Sequence, residues 1–223
     1  MASTKPFGNV STATILVIGH DPRLQRSQAE AQFAFFFDYL ERPRPSHGPE
    51  ASKYGLAHAV WEYVEHLAGR RVSLSELYVT NLCNQFLEHA AGSGTVLIPD
   101  DLADRGVEEI AEVVAAGHFR VILPMAVQTF CHLCRTGFVE GNAELVSRFL
   151  CAAQPRESKA AQGLYQTAAS APFLAVCGQR FCHRRVPVVP IVHVKQWPLK
   201  EGFVRYTEPM QRAQDNVRAA LRA

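Results

Sequence analysis

Apolar residues gather in four short runs rich in β-branched side chains: 13–18 (ATILVI), 77–80 (LYVT), 120–124 (RVILP) and 187–192 (PVVPIV). Continuous apolar stretches of this length predict strands buried on both faces, as in a parallel sheet covered by helices. FLAV at 173–176 has the composition of a fifth strand or an edge piece. Between the runs the apolar spacing changes to i, i+3, i+4. Residues 24–40 place Phe33, Phe36, Phe37 and Leu40 on one face, and 51–67 do the same with Leu56, Val60, Val64 and Leu67. Residues 106–116 align Val107, Ile110, Val113 and Val114 toward a sheet. Residues 208–222 align Met210, Ala213, Val217 and Leu221, leaving Arg212, Arg218 and Arg222 on the outer face. Strand-helix alternation builds right-handed βαβ units, so the pattern predicts an α/β fold: a three-layer α/β/α sandwich around four parallel strands.

Three segments break the pattern. RPRPSHGPE at 42–50 holds three prolines and a glycine and predicts an exposed loop, and EHAAGSG at 88–94 predicts a flexible turn. Residues 154–171 are polar and rich in Ala, Gln and Ser, and predict a surface insertion that could carry a short helix. The 223 residues fit a single domain spanning 1–223, with 48% hydrophobic and 20% charged residues in the globular range. Neither a signal sequence nor a run near the ~18 apolar residues of a membrane span is present, so no membrane partner and a cytoplasmic location are expected.

Net charge is +2, which permits a polyanionic partner such as DNA while signalling it only weakly. Six cysteines in a chain without an export signal predict reduced thiols. Cys131 and Cys134 form a CxxC inside MAVQTFCHLCRTGF, where Val127, Phe130, Cys131, Cys134 and Phe138 share a helical face. Buried structural thiols therefore fit better than a metal centre, which needs converging ligands in a tight turn. No metal and no cofactor are expected: Gly-x-Gly-x-x-Gly and the Gly-Lys-Ser/Thr phosphate loop do not occur, and no Gly-x-Ser-x-Gly elbow supports a Ser-His-Asp hydrolase.

Open α/β sheets bind ligands at the carboxyl ends of their strands. The residues leaving the predicted strands are Gly19-His20-Asp21-Pro22-Arg23, Asn81, Pro124-Met125 and His193. Each polar member has a structural alternative. Asp21 followed by Pro22 suits a helix N-cap with Pro at N1, Asn81 can end a strand by bonding nearby backbone, and His193 suits a half-buried hydrogen-bonded ring. Together they offer different chemistry. An amide can read the edge of a pyrimidine. An imidazole can stabilise an oxygen gaining negative charge, and a carboxylate can orient water or stabilise a developing cation. Those tasks describe cleavage of a nucleobase from its sugar.

LVIGHDPRL resembles the first motif of the uracil-DNA glycosylase superfamily, which in one branch reads Gly-Gln-Asp-Pro-Tyr-His after the first strand. VPIVHVKQWPL resembles the second, His-Pro-Ser-Pro-Leu, and LYVTNLCN resembles the strand whose Asn reads uracil. The resemblance spans residues 13–205 and implies a parallel sheet of order 2-1-3-4. It implies that Asp21 orients water, Asn81 reads the base beside Gly19 and His20, and His193 acts on the base oxygen. An aromatic ring stacks on the flipped base in this family, for which Tyr54, after the proline-rich loop, and Phe35, off the apolar stripe of its segment, are the candidates. Trp197 or Leu199 would wedge into the space the base leaves, and Arg23, Arg42, Lys195 and Lys200 would meet phosphates. Two departures limit the transfer. Arg23 stands where the first motif has Tyr, and Val194-Lys195-Gln196 replaces the Pro-Ser after the histidine. The expected function is a DNA glycosylase-like hydrolase acting on a flipped uracil-like or damaged base. The alternative is a catalytically inactive or divergent nucleobase- or nucleic-acid-binding protein of the same fold.

Overall fold

The computed structural model describes residues 3–20, 33–85, 98–153, 171–194 and 206–223. Asp21, Arg23, Lys195, Trp197, Leu199, the 88–94 turn and nearly all of the 154–171 insertion lie outside them. Five strands form one mostly parallel sheet: β1 (Ile15–Gly19), β2 (Leu77–Asn81), β3 (Val121–Pro124), β4 (Phe181–His183) and β5 (Val186–Val188). Their order is β2-β1-β3-β5-β4, with β4 antiparallel to β5. The α/β class stands as expected, and the four-strand order 2-1-3-4 does not. The difference is a two-residue hairpin. Arg184 and Arg185 both take left-handed backbone (φ 46 and 76), which two-residue turns between antiparallel strands require. That turn places an extra strand at the sheet edge, and FLAV supplies none: it lies in α5 (Ala171–Val176), with Phe173 and Val176 buried one turn apart.

Ile15, Leu16, Val17 and Ile18 are all fully buried, which is why β1 reads as an unbroken apolar run. The helical periodicities correspond to α1 (Gly48–Ala68), α2 (Asp100–Ala116) and α6 (Thr207–Arg222). Pro49 sits in the first turn of α1, where its missing N–H costs nothing, and left-handed Gly69 ends the helix. The CxxC segment is α3 (Val127–Arg135), followed by α4 (Ala143–Ala152). The chain steps from β1 to β2 in one direction across the sheet and from β2 to β3 in the other. Right-handed crossovers then set α1 and α2 on opposite faces, and the packing agrees, α1 lying against α6 and α2 against α3. The reversal makes the carboxyl ends of β1 and β3 the switch point at which such sheets bind ligands.

The helix expected over 24–40 takes another form where it is described. Ala34–Glu41 is a 3₁₀ stretch broken by Phe35 and Phe36 at φ 52 and 60. Its entry is tied from outside: the Ala34 N–H donates to Lys5 O at 2.8 Å. Lys5 belongs to a strap, residues 3–7, that pairs Ser3 with Gln85 and Phe7 with Val79 along the open edge of β2. Covering an edge in this way also blocks pairing with other chains.

Candidate functional site

Gly19 and Asn81 end β1 and β2 in register. The pairing continues past both strands, with the Leu82 N–H donating to Gly19 O at 2.9 Å and the Cys83 N–H to His20 O at 3.1 Å. A Cβ built on Gly19 would lie 2.5 Å from Asn81 Oδ1 and 2.5 Å from two carbons of the Phe35 ring. Ring and amide oxygen thus meet in the space that glycine leaves open. The left-handed backbone at Phe35 and Phe36 presents this ring, and bulky residues hold that conformation only where surrounding contacts enforce it. Of the two aromatic candidates, Phe35 is therefore the one beside Asn81. Tyr54 lies on α1, stacked on His58 (centroids 5.7 Å apart) and beneath the Arg44 guanidinium.

His193 is half-buried on the chain leaving β5. Ile191, two residues earlier, pairs with Met125, and the Ala126 N–H donates to Ile191 O at 2.9 Å, so this chain stays beside β3 to its carboxyl end. Asn81 and His193 flank β1 and β3 from either side. Three strand spacings of ~4.8 Å put their backbones ~14 Å apart across the ends of β1 and β3. A ligand touching both would cross the switch point. Arg42 pairs with Asp38 at 2.6 Å and lies over the Tyr39 ring, with half its side chain facing solvent.

The start of α3 carries groups that sequence reasoning missed. Ala126 takes φ 81 at its N-cap and offers no capping side chain. Behind it both amide atoms of Gln128 and the Thr129 hydroxyl are buried with no hydrogen-bond partner among the described residues, at the carboxyl end of β3. Buried polar atoms cost free energy unless paired, and sites that hold ligands are where such costs are tolerated. Gln128, His132 and Arg135 recur at i, i+4 and i+7, a polar stripe in the helix whose sulfurs drew attention first.

His132 is 2% exposed. Its pKa is pushed down to about 4 by burial first, then by His20 and Arg135, with Asp100 and Asp104 opposing. The folded protein holds the ring neutral, while the unfolded chain binds a proton near 6.5. The buried His132 therefore leaves stability unchanged above neutrality and lowers it as pH drops from 6.5 toward about 4. A loss of ~1 kcal/mol is expected between pH 6.5 and 5.5, read from urea unfolding, with a flatter profile in His132→Gln. An equally steep profile in the variant would place the proton uptake on another group.

Both CxxC sulfurs are buried in α3, and burial pushes the Cys131 thiol up to about 11 and raises Cys134 further. These are inert packing thiols at neutral pH. Among the described residues no three His, Cys, Asp or Glu side chains converge on a possible metal site. No helix among them is long and apolar enough to cross a membrane. A cleft of about 610 Å³ between α2 and α3 includes none of the residues expected to form the site, and Asp100, Asp104 and Glu108 line it opposite Arg135. No family model and no curated protein matches this chain.

Proposed function

We propose that the protein is a DNA glycosylase-like hydrolase that takes a flipped, uracil-like or damaged base at the strand ends beside Gly19. The observation that carries this reading is the meeting of the Phe35 ring and Asn81 Oδ1 in the space above Gly19, at the end of a central parallel strand. An aromatic ring beside an amide offers the two things an unstacked base needs: stacking for its ring and hydrogen bonds for its edge. His193 donates a hydrogen bond to the base oxygen as the C1′–N bond breaks and its electron pair leaves with the base. Asp21 stabilises the cationic sugar and orients the water whose oxygen adds to C1′, taking up the water's proton. Lys195 and Arg23 meet phosphates, and Trp197 or Leu199 fills the vacated stack.

The test is a panel of single- and double-stranded oligonucleotides carrying uracil, hypoxanthine, other damaged bases or mismatches, scored for abasic sites. At least one substrate is expected to lose its base. Asp21→Asn is expected to slow that release by roughly 10²-fold or more, the usual contribution of a positioned acid-base group, while binding persists. If the wild-type protein binds these DNAs and releases nothing, hydrolysis is ruled out and a nucleobase-binding protein remains.

A further inference from the structure

We propose that Thr4 is a positioning residue that sets how Asn81 meets its ligand, turning Nδ2 away toward the strap and Oδ1 over Gly19. The ligand edge read there must then carry an N–H donor. This rests on the site just proposed.

The orientation follows from one group whose role cannot change. The backbone N–H of Asn81 is always a donor, and it lies 3.4 Å from the Asn84 side chain, whose facing atom must therefore be Oδ1. The Asn84 Nδ2 then donates to Thr80 Oγ1 at 3.2 Å. Thr4 donates its single hydroxyl proton to Asn84 Oδ1 at 3.0 Å, and its N–H bonds Asn84 O at 2.8 Å. A hydroxyl whose proton is spent can only accept. The Asn81 atom 3.4 Å from Thr4 Oγ1 is accordingly Nδ2. Reversing the amide would leave Thr4 Oγ1 between two acceptor oxygens, Asn84 Oδ1 and Asn81 Oδ1, with one proton to serve both, beside a side chain only 5% exposed. Oδ1 is left beside the Phe35 ring.

The same strap supports the stacking side. Lys5 O accepts the Ala34 N–H just before the left-handed turn, and the Phe7 ring packs on Phe33 and Phe37 with centroids 6.1 and 5.3 Å away. Five residues near the N-terminus thereby hold both the reading amide and the turn that carries Phe35. The chemistry selected is a lactam or imide N–H or an exocyclic amine. A base methylated at that nitrogen offers Oδ1 nothing.

Two measurements on the full chain test this. The side-chain amide resonances of Asn81, assigned by their loss in Asn81→Asp, are followed without ligand. Thr4→Val, with Thr4→Ala as a second variant, is expected to speed their hydrogen exchange about fivefold, the worth of one net hydrogen bond, and Thr4→Ser to restore it. Unchanged exchange in both variants overturns the assignment. Uracil and 3-methyluracil are then the binding probes. The wild-type protein is expected to favour uracil about tenfold, because the methyl group leaves a buried acceptor unpaired, and Thr4→Val to shrink that ratio. Equal binding of the two overturns the donor requirement. A purely structural Thr4 would lower the melting temperature and leave the ratio alone. If neither probe binds, the site does not read a uracil edge, and the resonances still decide whether Thr4 positions Asn81.

Discussion

On the glycosylase reading, alanine at Gly19 is expected to weaken base binding about a hundredfold while leaving the fold in place. Gly19 is not left-handed, so its backbone accepts a side chain, and only the space above it decides the outcome. The new Cβ would meet Asn81 Oδ1 and the Phe35 ring, each at 2.5 Å. Both obstacles are the far ends of side chains, which can move aside. Their movement relieves the clash and separates the ring from the amide. Losing base stacking costs ~1–3 kcal/mol and losing one hydrogen bond ~1 kcal/mol, together about two orders of magnitude in affinity. The melting temperature should fall by only a few degrees, since ~1 kcal/mol corresponds to ~2–4 °C in a chain of this size. Binding of uracil by calorimetry, read beside a thermal melt, checks both halves. Near-wild-type affinity in the variant would mean that ligand does not use this space.

The parts of the fold that were legible in the sequence are those governed by local periodicity. β1 and β3 are apolar throughout because both faces are covered, and α1, α2 and α6 repeat apolar residues at the spacing that buries Val60, Ile110 and Val217. What escaped depends on partners distant in the chain or on turns without their usual residues. Arg184-Arg185 forms a tight hairpin turn where Asn or Gly would have announced one. The four apolar residues of FLAV are too few for strand and helix periods to be told apart. Phe33, Phe36, Phe37 and Leu40 have helical spacing, yet a hydrogen bond from Lys5, 29 positions from Ala34, helps to hold the segment in another form.

The candidate site divides in the same way. The rule that ligands bind at strand ends led to Gly19 and Asn81, which end their strands side by side. Phe35 stood out because it fell off its apolar stripe. Thr4 and Asn84 carried no such mark: their roles arise only once the strap folds along β2, a pairing of residues 80 apart. Gln128 and His132 were read as part of an apolar helix because their neighbours Phe130, Cys131 and Leu133 set its character. Polar residues buried in a helix look like interruptions until the sheet beneath them is known.

The second large effect concerns the support beneath Asn81. Gly106 is buried in α2, and a Cβ there would lie 1.7 Å from the carbonyl oxygen of Leu82, the residue directly after Asn81. Helix and strand exit approach this closely only because position 106 has no side chain. Carbon and oxygen normally come no nearer than ~3.3 Å, so in Gly106→Ala one backbone must retreat by roughly 1.5 Å. Unlike the obstacles above Gly19, a backbone carbonyl cannot swing aside alone. Withdrawal of α2 loosens the packing of Ala103, Val107 and Ile110, all of them buried. Overpacking of this kind costs ~3 kcal/mol, of which the better helix propensity of alanine returns ~1 kcal/mol at most. A fall of roughly 5–10 °C in melting temperature follows from a net loss of ~2–3 kcal/mol. Uracil affinity measured well below the melting point should fall by less than in Gly19→Ala, because the displacement reaches Asn81 only through its neighbour. An unchanged melting temperature would show that α2 can yield at no cost, and that its approach to Leu82 does not hold Asn81 in place.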